Sequence, residues 1–281
     1  MSARADAFAN LCTDARGATN MAVDHVLFEG VQRGGPPVLR LYAWDPPCLS
    51  LGRNQHARGL YDETLLAEAG IDIVRRPTGG LAVLHDIELT YTVLVPAALL
   101  GGARATYRSV NEALVAGLRA LGVPAGLADS GARRDPRHDA AQPCFEAPAD
   151  GEVVAAGRKL VGSAQRCEAG TLLQHGSILL DGTQDRILRL LRQPVGAGAG
   201  ANESNGDDAG MITAPVQSGS VTLRELLGVV PGWAAVARSV TRGFTTMCGT
   251  RLAPVTLTSE ERGRLADMEA RYDDEAWTWR L

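Results

Sequence analysis

Lysine is almost absent from this sequence. Of 28 basic side chains in 281 residues, every one but Lys159 is arginine. A chain that uses guanidinium wherever positive charge suffices keeps an ammonium where a broad, permanently protonated fork would not serve. Lys159, within Gly157-Arg158-Lys159-Leu160-Val161-Gly162-Ser163, is therefore the first candidate functional residue. The net charge is -4, so no global basic field exists to hold nucleic acid or an anionic membrane, and an acidic partner has to meet a local basic patch. The longest apolar stretch, 93–100, is too short to cross a bilayer, and Met1-Ser2-Ala3-Arg4-Ala5-Asp6 lacks the apolar core of a signal peptide. A cytoplasmic protein without a membrane partner is expected. Cys12, Cys48, Cys144, Cys167 and Cys248 are odd in number and contain no CxxC pair, which argues against a disulfide framework or a zinc site. His25, His56, His85, His138 and His175 are equally scattered, without an i,i+4 pair, so no metal is expected.

What is present is a large soluble globular composition, 45% hydrophobic and 21% charged. Met21, Val23, Val26, Leu27 and Phe28 recur at helical spacing and predict an opening helix over 20–29. Strands are expected at 38–44 and 48–51, joined as a hairpin through Asp45-Pro46-Pro47. A helix over 63–69 leads to a strand at 71–74, and 88–95 reads as another strand, rich in β-branched residues. Val110, Leu114, Leu118 and Leu121 fall near one face of a helix over 109–121 that Gly122 ends. Residues 129–142 are polar and arginine-rich and read as a loop. Residues 152–155 and 159–165 flank Ala156-Gly157-Arg158 as a second hairpin, and 171–180 resumes a strand. The Gly-, Ala-, Asn- and Asp-rich segment 196–210 has almost nothing to bury and is expected to be a flexible insertion. Helices follow at 223–229, 234–244 and 259–272, the last opened by the capping pattern Thr258-Ser259-Glu260-Glu261. This order predicts an α+β fold around a mixed, largely antiparallel sheet flanked by helices. The expected division is a catalytic domain over 1–250 and a helical extension over 251–281.

Chemistry points to few places. Cys144 closes the polar loop, before Phe145-Glu146-Ala147-Pro148; a thiol is nucleophilic as thiolate, and an ammonium such as that of Lys159 favours that anion. Cys167 also lies near Lys159 and reads as an ordinary strand cysteine, with the nucleophile's role open to it if the hairpin register differs. Arg75-Arg76-Pro77-Thr78-Gly79-Gly80 joins a strand to a turn where backbone can approach a ligand and two arginines supply charge. Leu81-Ala82-Val83 follows without the lysine of a Walker loop. His85 beside Asp86 reads either as a polarised pair or as a histidine satisfied by a neighbour. Gly162-Ser163-Ala164 places small residues on a strand, as expected where a ligand or another backbone lies close.

Taken together, Arg75-Arg76-Pro77-Thr78-Gly79-Gly80-Leu81-Ala82-Val83-Leu84-His85-Asp86 with Glu88-Leu89-Thr90-Tyr91 after it, Asn20-Met21-Ala22-Val23-Asp24, Leu49-Ser50-Leu51-Gly52-Arg53-Asn54-Gln55, Gly157-Arg158-Lys159-Leu160-Val161-Gly162-Ser163-Ala164-Gln165 and Gln174-His175-Gly176-Ser177 closely resemble the lipoate–protein ligase A superfamily. The resemblance implies the biotin/lipoate protein ligase catalytic-domain fold. It also implies a substrate site containing Arg75, Arg76, Thr78, Gly79, Gly80, Leu81, Val83, His85, Gly162, Ser163, Ala164 and His175.

Two chemistries occur in that superfamily. A ligase uses ATP and Mg to make an acyl-adenylate. A cysteine-dependent octanoyltransferase takes octanoyl from acyl carrier protein, holds it as a thioester, and passes it to the lysine of a lipoyl domain or glycine-cleavage H protein without a cofactor. Cys144, fifteen residues ahead of Lys159, resembles the second kind, with Cys144 as nucleophile and Lys159 as its activator. The alternatives are the ATP-dependent ligase and a non-catalytic acyl-binding protein. Leu81 stands where the ligases usually have glycine and the transferases often arginine; Ala149-Asp150-Gly151 replaces a more aromatic stretch.

Overall fold

The computed structural model describes residues 9–128, 150–192, 219–249 and 251–281, with backbone alone for 9–14. In chain order come β1 (Ala9–Ala15), α1 (Gly17–Gln32), β2 (Val38–Trp44), β3 (Cys48–Leu51), α2 (Glu63–Glu68), β4 (Asp72–Arg75), β5 (Val83–His85) and β6 (Glu88–Pro96). Then follow α3 (Ala103–Ala120), β7 (Ala125–Leu127), β8 (Val153–Ala155), β9 (Arg158–Lys159), β10 (Val161–Glu168) and β11 (Thr171–Leu179). The chain closes with α4 (Leu223–Leu227), α5 (Trp233–Cys248), β12 (Ala253–Pro254), α6 (Ser259–Asp273) and α7 (Glu275–Thr278).

Six strands form the main sheet in the order β10-β11-β6-β2-β1-β12. The pairs from β10 to β2 are antiparallel and the two pairs involving β1 are parallel, so the sheet is mixed and largely antiparallel. A smaller sheet, β4-β3-β5, carries the Arg75 segment, and a third, β7-β8-β9, carries Lys159. The fold is α+β, with helices covering both faces of the main sheet.

The period of two along β2 and β6 explains the layering. Leu39 and Leu41, with Leu89, Tyr91, Val93 and Val95, face α3 and α5 and form the largest core. On the opposite face Val38 and Leu94 meet Val23, Leu27 and Phe28 of α1, backed by Leu265 of α6. Tyr42 and Trp44 continue that face against Met21, Val74 and Tyr272. Helix α6 opens with the expected capping box, Thr258 with Glu261, and Thr222 with Glu225 caps α4 in the same way.

Two expectations are corrected. Strands β2 and β3 do not form a hairpin: β2 pairs with β1 and β6, whereas β3 pairs with β4 and β5. The Asp45–Pro46 segment, with a cis peptide bond, hands the chain from one sheet to the other. Both strands are buried, so hydrophobic pattern alone does not distinguish a hairpin from a crossing between sheets. Helix α3 begins six residues earlier than its apolar periodicity suggests, since Thr106 alone among its first residues is buried. The loop expected at 129–142 and the insertion at 196–210 lie outside the described residues.

Helices α3 and α5 approach through glycine. A Cβ on Gly243 would run into the Ala113 carbonyl oxygen, and one on Gly117 would meet the backbone of Ser239. Gly243→Ala is expected to lower stability by about 1–3 kcal/mol, the usual cost of overpacking. Urea unfolding checks this, and a variant as stable as the parent would show that the helices can separate at little cost.

Candidate active site

Between α1, the small sheet and the β10–β11 edge lies a narrow cleft, partly open to solvent. Met21 comes from α1, Tyr42 and Trp44 from β2, Ser50 from β3, Val83 and His85 from β5, Thr90 from β6, and Gly162 to Ala164 from β10. His175, Gly176 and Ser177 of β11 complete the wall. The antiparallel register sets Gly162 opposite Ser177 and Ser163 opposite Gly176. A Cβ on Gly176 would strike the Gly162 carbonyl and the Tyr91 ring, so the close approach requires glycine there.

The expected site residues divide into those that face the cleft and those that hold it. Arg76, Val83, His85, Gly162, Ser163, Ala164 and His175 line it. Thr78, Gly79, Gly80 and Leu81 form the turn behind. The Arg76 guanidinium shapes this turn, donating through Nη2 to the carbonyls of Gly79 at 2.8 Å and Leu81 at 2.7 Å. Through Nη1 it donates to the Ser50 carbonyl at 2.9 Å and Oγ at 3.1 Å. A Cβ on Gly52 would collide with the Gly80 carbonyl, which locks the Leu51-Gly52-Arg53 segment against the turn. Arg75 points elsewhere: its guanidinium donates to Thr278 O at 2.8 Å, Gly52 O at 2.6 Å and Gln55 O at 2.8 Å. Burial first, then the charges of Arg280 and Arg76, bring its pKa down to about 10.

Two histidines give the cleft its polar order. His85 stacks on Trp44, with ring centroids 4.0 Å apart. Its partners are Glu88 Oε1 at 2.8 Å from Nδ1 and Ser50 Oγ at 2.7 Å from Nε2. Asp86 is not its partner and instead pairs with Arg186. Glu88 Oε1 also accepts from Ser177 Oγ at 2.8 Å and from Thr90. His175 Nε2 lies 2.5 Å from Thr78 Oγ1, and its Nδ1 faces Asp24 at 3.8 Å. Asp24 is fully buried, accepts from Arg40 Nη1 at 2.7 Å, Tyr42 Oη at 3.1 Å and Thr92 Oγ1 at 2.8 Å, and thereby ties α1 to the sheet. Burial alone would raise its pKa, but the Arg40 charge and the His175 contact hold it below the usual carboxylate value.

Lys159 sits on β9, which forms the expected hairpin with β8. Its side chain is 1% exposed and Nζ donates to Glu152 Oε1 at 2.9 Å, with Glu152 4% exposed. The pair does not line the cleft; it stands behind Tyr91, whose hydroxyl meets Ser163 Oγ at 2.7 Å on the cleft wall. Burial pushes the Tyr91 phenol up to about 12, with the nearby Glu152 charge adding to the effect. The Lys159–Glu152 pair is thus buried outside the cleft lining, with the Glu152 carboxylate near the Tyr91 phenol. Cys144 lies outside the described residues. Cys167 is exposed at the far end of β10, opposite Leu172. Among the described residues no group of three or more His, Cys, Asp or Glu could hold a metal ion.

Sequence reading gave no role to Arg40 or Glu152, and it met Asp24, Ser50 and Glu88 only inside motifs that carry the resemblance. Glu88 carries a local signal, three residues after His85 across a turn, and Glu152 precedes the hairpin holding the chain's lysine. Asp24 and Arg40 meet only through the packing of α1 on β2 and leave no such signal.

A family model of the lipoyl protein ligase A/B catalytic domain matches residues 16–245. Octanoyltransferase LipM of Kyrpidia tusciae is 40% identical over 269 residues, covering 94% of each chain. LipM of Symbiobacterium thermophilum is 39% identical over 273 residues, again with 94% of each covered. Among solved structures, a crystal structure of lipoate-protein ligase A bound with ATP superposes with a TM-score of 0.75 at 22% identity, over 97% of this chain and 98% of the other.

The histidines give stability a sign in pH. Burial, the largest cause for each, holds the pKa of His175 and of His25 below the ordinary histidine value. Each binds its proton more weakly folded than unfolded, so its stabilising share is complete above the unfolded value and declines as pH falls below it. Urea unfolding between pH of about 7.5 and about 5 is expected to show this decline. His175→Gln should flatten the slope, and an unaltered slope would show that His175 does not contribute.

Proposed function

We propose a mechanism that proceeds from one premise: this chain belongs to the lipoyl protein ligase A/B catalytic-domain family. It is an acyltransferase that moves octanoyl groups in lipoate biosynthesis, a conclusion carried by its full-length likeness to octanoyltransferases. In our reading the donor is octanoyl-acyl carrier protein and the acceptor is the lysine of a lipoyl domain or of the glycine-cleavage H protein. The reaction takes place in the cytoplasm and uses neither ATP nor Mg. Among the described residues no helix is long and apolar enough to cross a membrane.

The octanoyl chain lies in the cleft against Met21, Trp44, Val83 and Ala164, where apolar surface leaves water. The Cys144 thiolate attacks the thioester carbonyl; the new C–S bond forms as the donor's C–S bond breaks, and the donor thiol leaves with the proton. The acceptor amine then attacks the enzyme thioester, the amide forms, and the proton from nitrogen returns to the Cys144 sulfur. Exchange of thioesters is near balance and aminolysis runs downhill, so no nucleotide is required. Lys159 favours the thiolate and then the developing acyl oxyanion. Glu152 pairs with that ammonium at 2.9 Å in a buried setting, where an unpaired charge is costly.

Intact-protein mass spectrometry without ATP provides the test. Mixing with octanoyl-acyl carrier protein should give a hydroxylamine-labile octanoyl adduct on the parent and none on Cys144→Ala; an adduct on both would remove Cys144 from the mechanism. Lys159→Arg keeps charge but not geometry and should lose most activity. Glu152→Gln leaves Lys159 buried without its carboxylate and should cost about 3–5 kcal/mol in stability, the usual price of breaking a buried pair. Unchanged urea unfolding of that variant would show that the pair is not structural.

A further inference from the structure

A cluster of arginines stands at the rim of the cleft. Arg271 on α6 and Arg280 beyond α7 both place their guanidinium carbons on the ring of Trp277, at 5.0 Å and 4.0 Å. Arg280 also donates to the carbonyl of Arg53. Arg53 lies beside Gly52 and donates its backbone N–H to Thr78 O at 2.7 Å, directly behind His175. Arg166 follows two residues after Ala164 on the same edge strand, β10, and so extends the wall outward from the cleft. Trp277 fixes the arrangement by donating Nε1 to Arg75 O at 2.9 Å.

Among the described residues this positive charge is only partly neutralised. Arg166 pairs with Glu168, but Arg53, Arg271 and Arg280 have no carboxylate partner among the described residues. Two nearby acids are engaged otherwise: Asp273 pairs with Arg16, and Asp274 caps α7 by accepting from Ala276 N. Arg280 Nε and the Nη2 of the fully buried Arg75 are buried without a hydrogen-bond partner. Burial, followed by mutual repulsion with Arg53 and Arg271, lowers the pKa of Arg280, and Arg166 is lowered in the same way. A cluster of like charges is most stable facing an anion.

We propose that Arg53, Arg166, Arg271 and Arg280 form the docking surface for an acidic face of the protein that carries the octanoyl donor. The inference rests on the reading that octanoyl arrives on a carrier protein. It supplies the local basic patch that a chain of net charge -4 needs to capture an acidic partner. The acidic surface meets the rim, and the thioester arm enters the adjoining cleft.

Arg271→Glu tests the assignment, because Arg271 is exposed and lines no part of the cleft. Two donors are compared: octanoyl-acyl carrier protein and octanoyl-N-acetylcysteamine, a small thioester with no protein surface. KM for the carrier-bound donor should rise about tenfold, with a weaker salt dependence than in the parent. Turnover of the small thioester should stay within about twofold. Arg271→Gln should show an intermediate KM, with a thermal midpoint matching the parent. Equal losses with both donors, no change with either, or a change confined to the acceptor would overturn the proposal. Failure of the parent to turn over the small thioester would instead refute the transferase reading, and the docking assignment would fall with it.

Discussion

The buried ion pair between Asp24 and Arg40 is the constraint from which the cleft takes its shape. Both side chains are fully buried, so neither could lose the other without leaving a charge in a low-dielectric interior. Arg40 is further satisfied by Asn20, through its carbonyl at 3.0 Å and its side-chain oxygen at 2.6 Å. The pair therefore fixes both the depth and the rotation of α1 on the sheet. Once α1 is placed, Met21 closes one side of the cleft and Asp24 faces His175, which in turn meets Thr78 of the turn. A polar interaction that contributes little net stability thus specifies one arrangement of apolar walls.

The second organising device is the use of arginine as a backbone cross-link. Arg75 ends β4 and Arg76 follows it directly, yet they act in opposite directions. Arg76 gathers the carbonyls of Ser50, Gly79 and Leu81 and so fixes the turn beside the cleft. Arg75 gathers Gly52, Gln55 and Thr278 and so draws the C-terminal segment onto the same loop. Each guanidinium offers several donors in a plane, which suits binding carbonyls that no strand or helix has satisfied. Charge, the obvious reason to expect two arginines beside a ligand, is only part of what they do.

Much of this was legible in the residues. The motifs from Arg75 to His85, from Gly162 to Ala164 and around His175 converge on one cleft, and the α+β class followed from the order of periodic segments. The second hairpin was legible because Ala156 and Gly157, both with positive φ, interrupt two apolar runs. The route from β2 to β3 was not, because a continuous buried run reads alike whether the next strand joins the same sheet or another. Nor was the partner of His85. Asp86 is adjacent in sequence, but it lies in the turn after β5 and pairs with Arg186, while Glu88 at the start of β6 reaches the ring. The partners that complete the site come from strands and helices distant in sequence, and only packing brings them together.

Lys159 is held by its backbone as well as by Glu152. Its N–H donates to Gly219 O at 3.0 Å and its carbonyl accepts from Val221 N at 2.9 Å, so the strand that carries it is completed by residues some sixty positions later. Closing a loop of that length must precede the reward of those contacts, which delays their formation relative to nearby hairpins. On a ribosome the order is stricter still, since the walls of the cleft are synthesised well before Val221. A nascent chain therefore holds the residues that line the cleft before it holds either the backbone partners of Lys159 or Tyr272, which backs Met21, Tyr42 and Trp44.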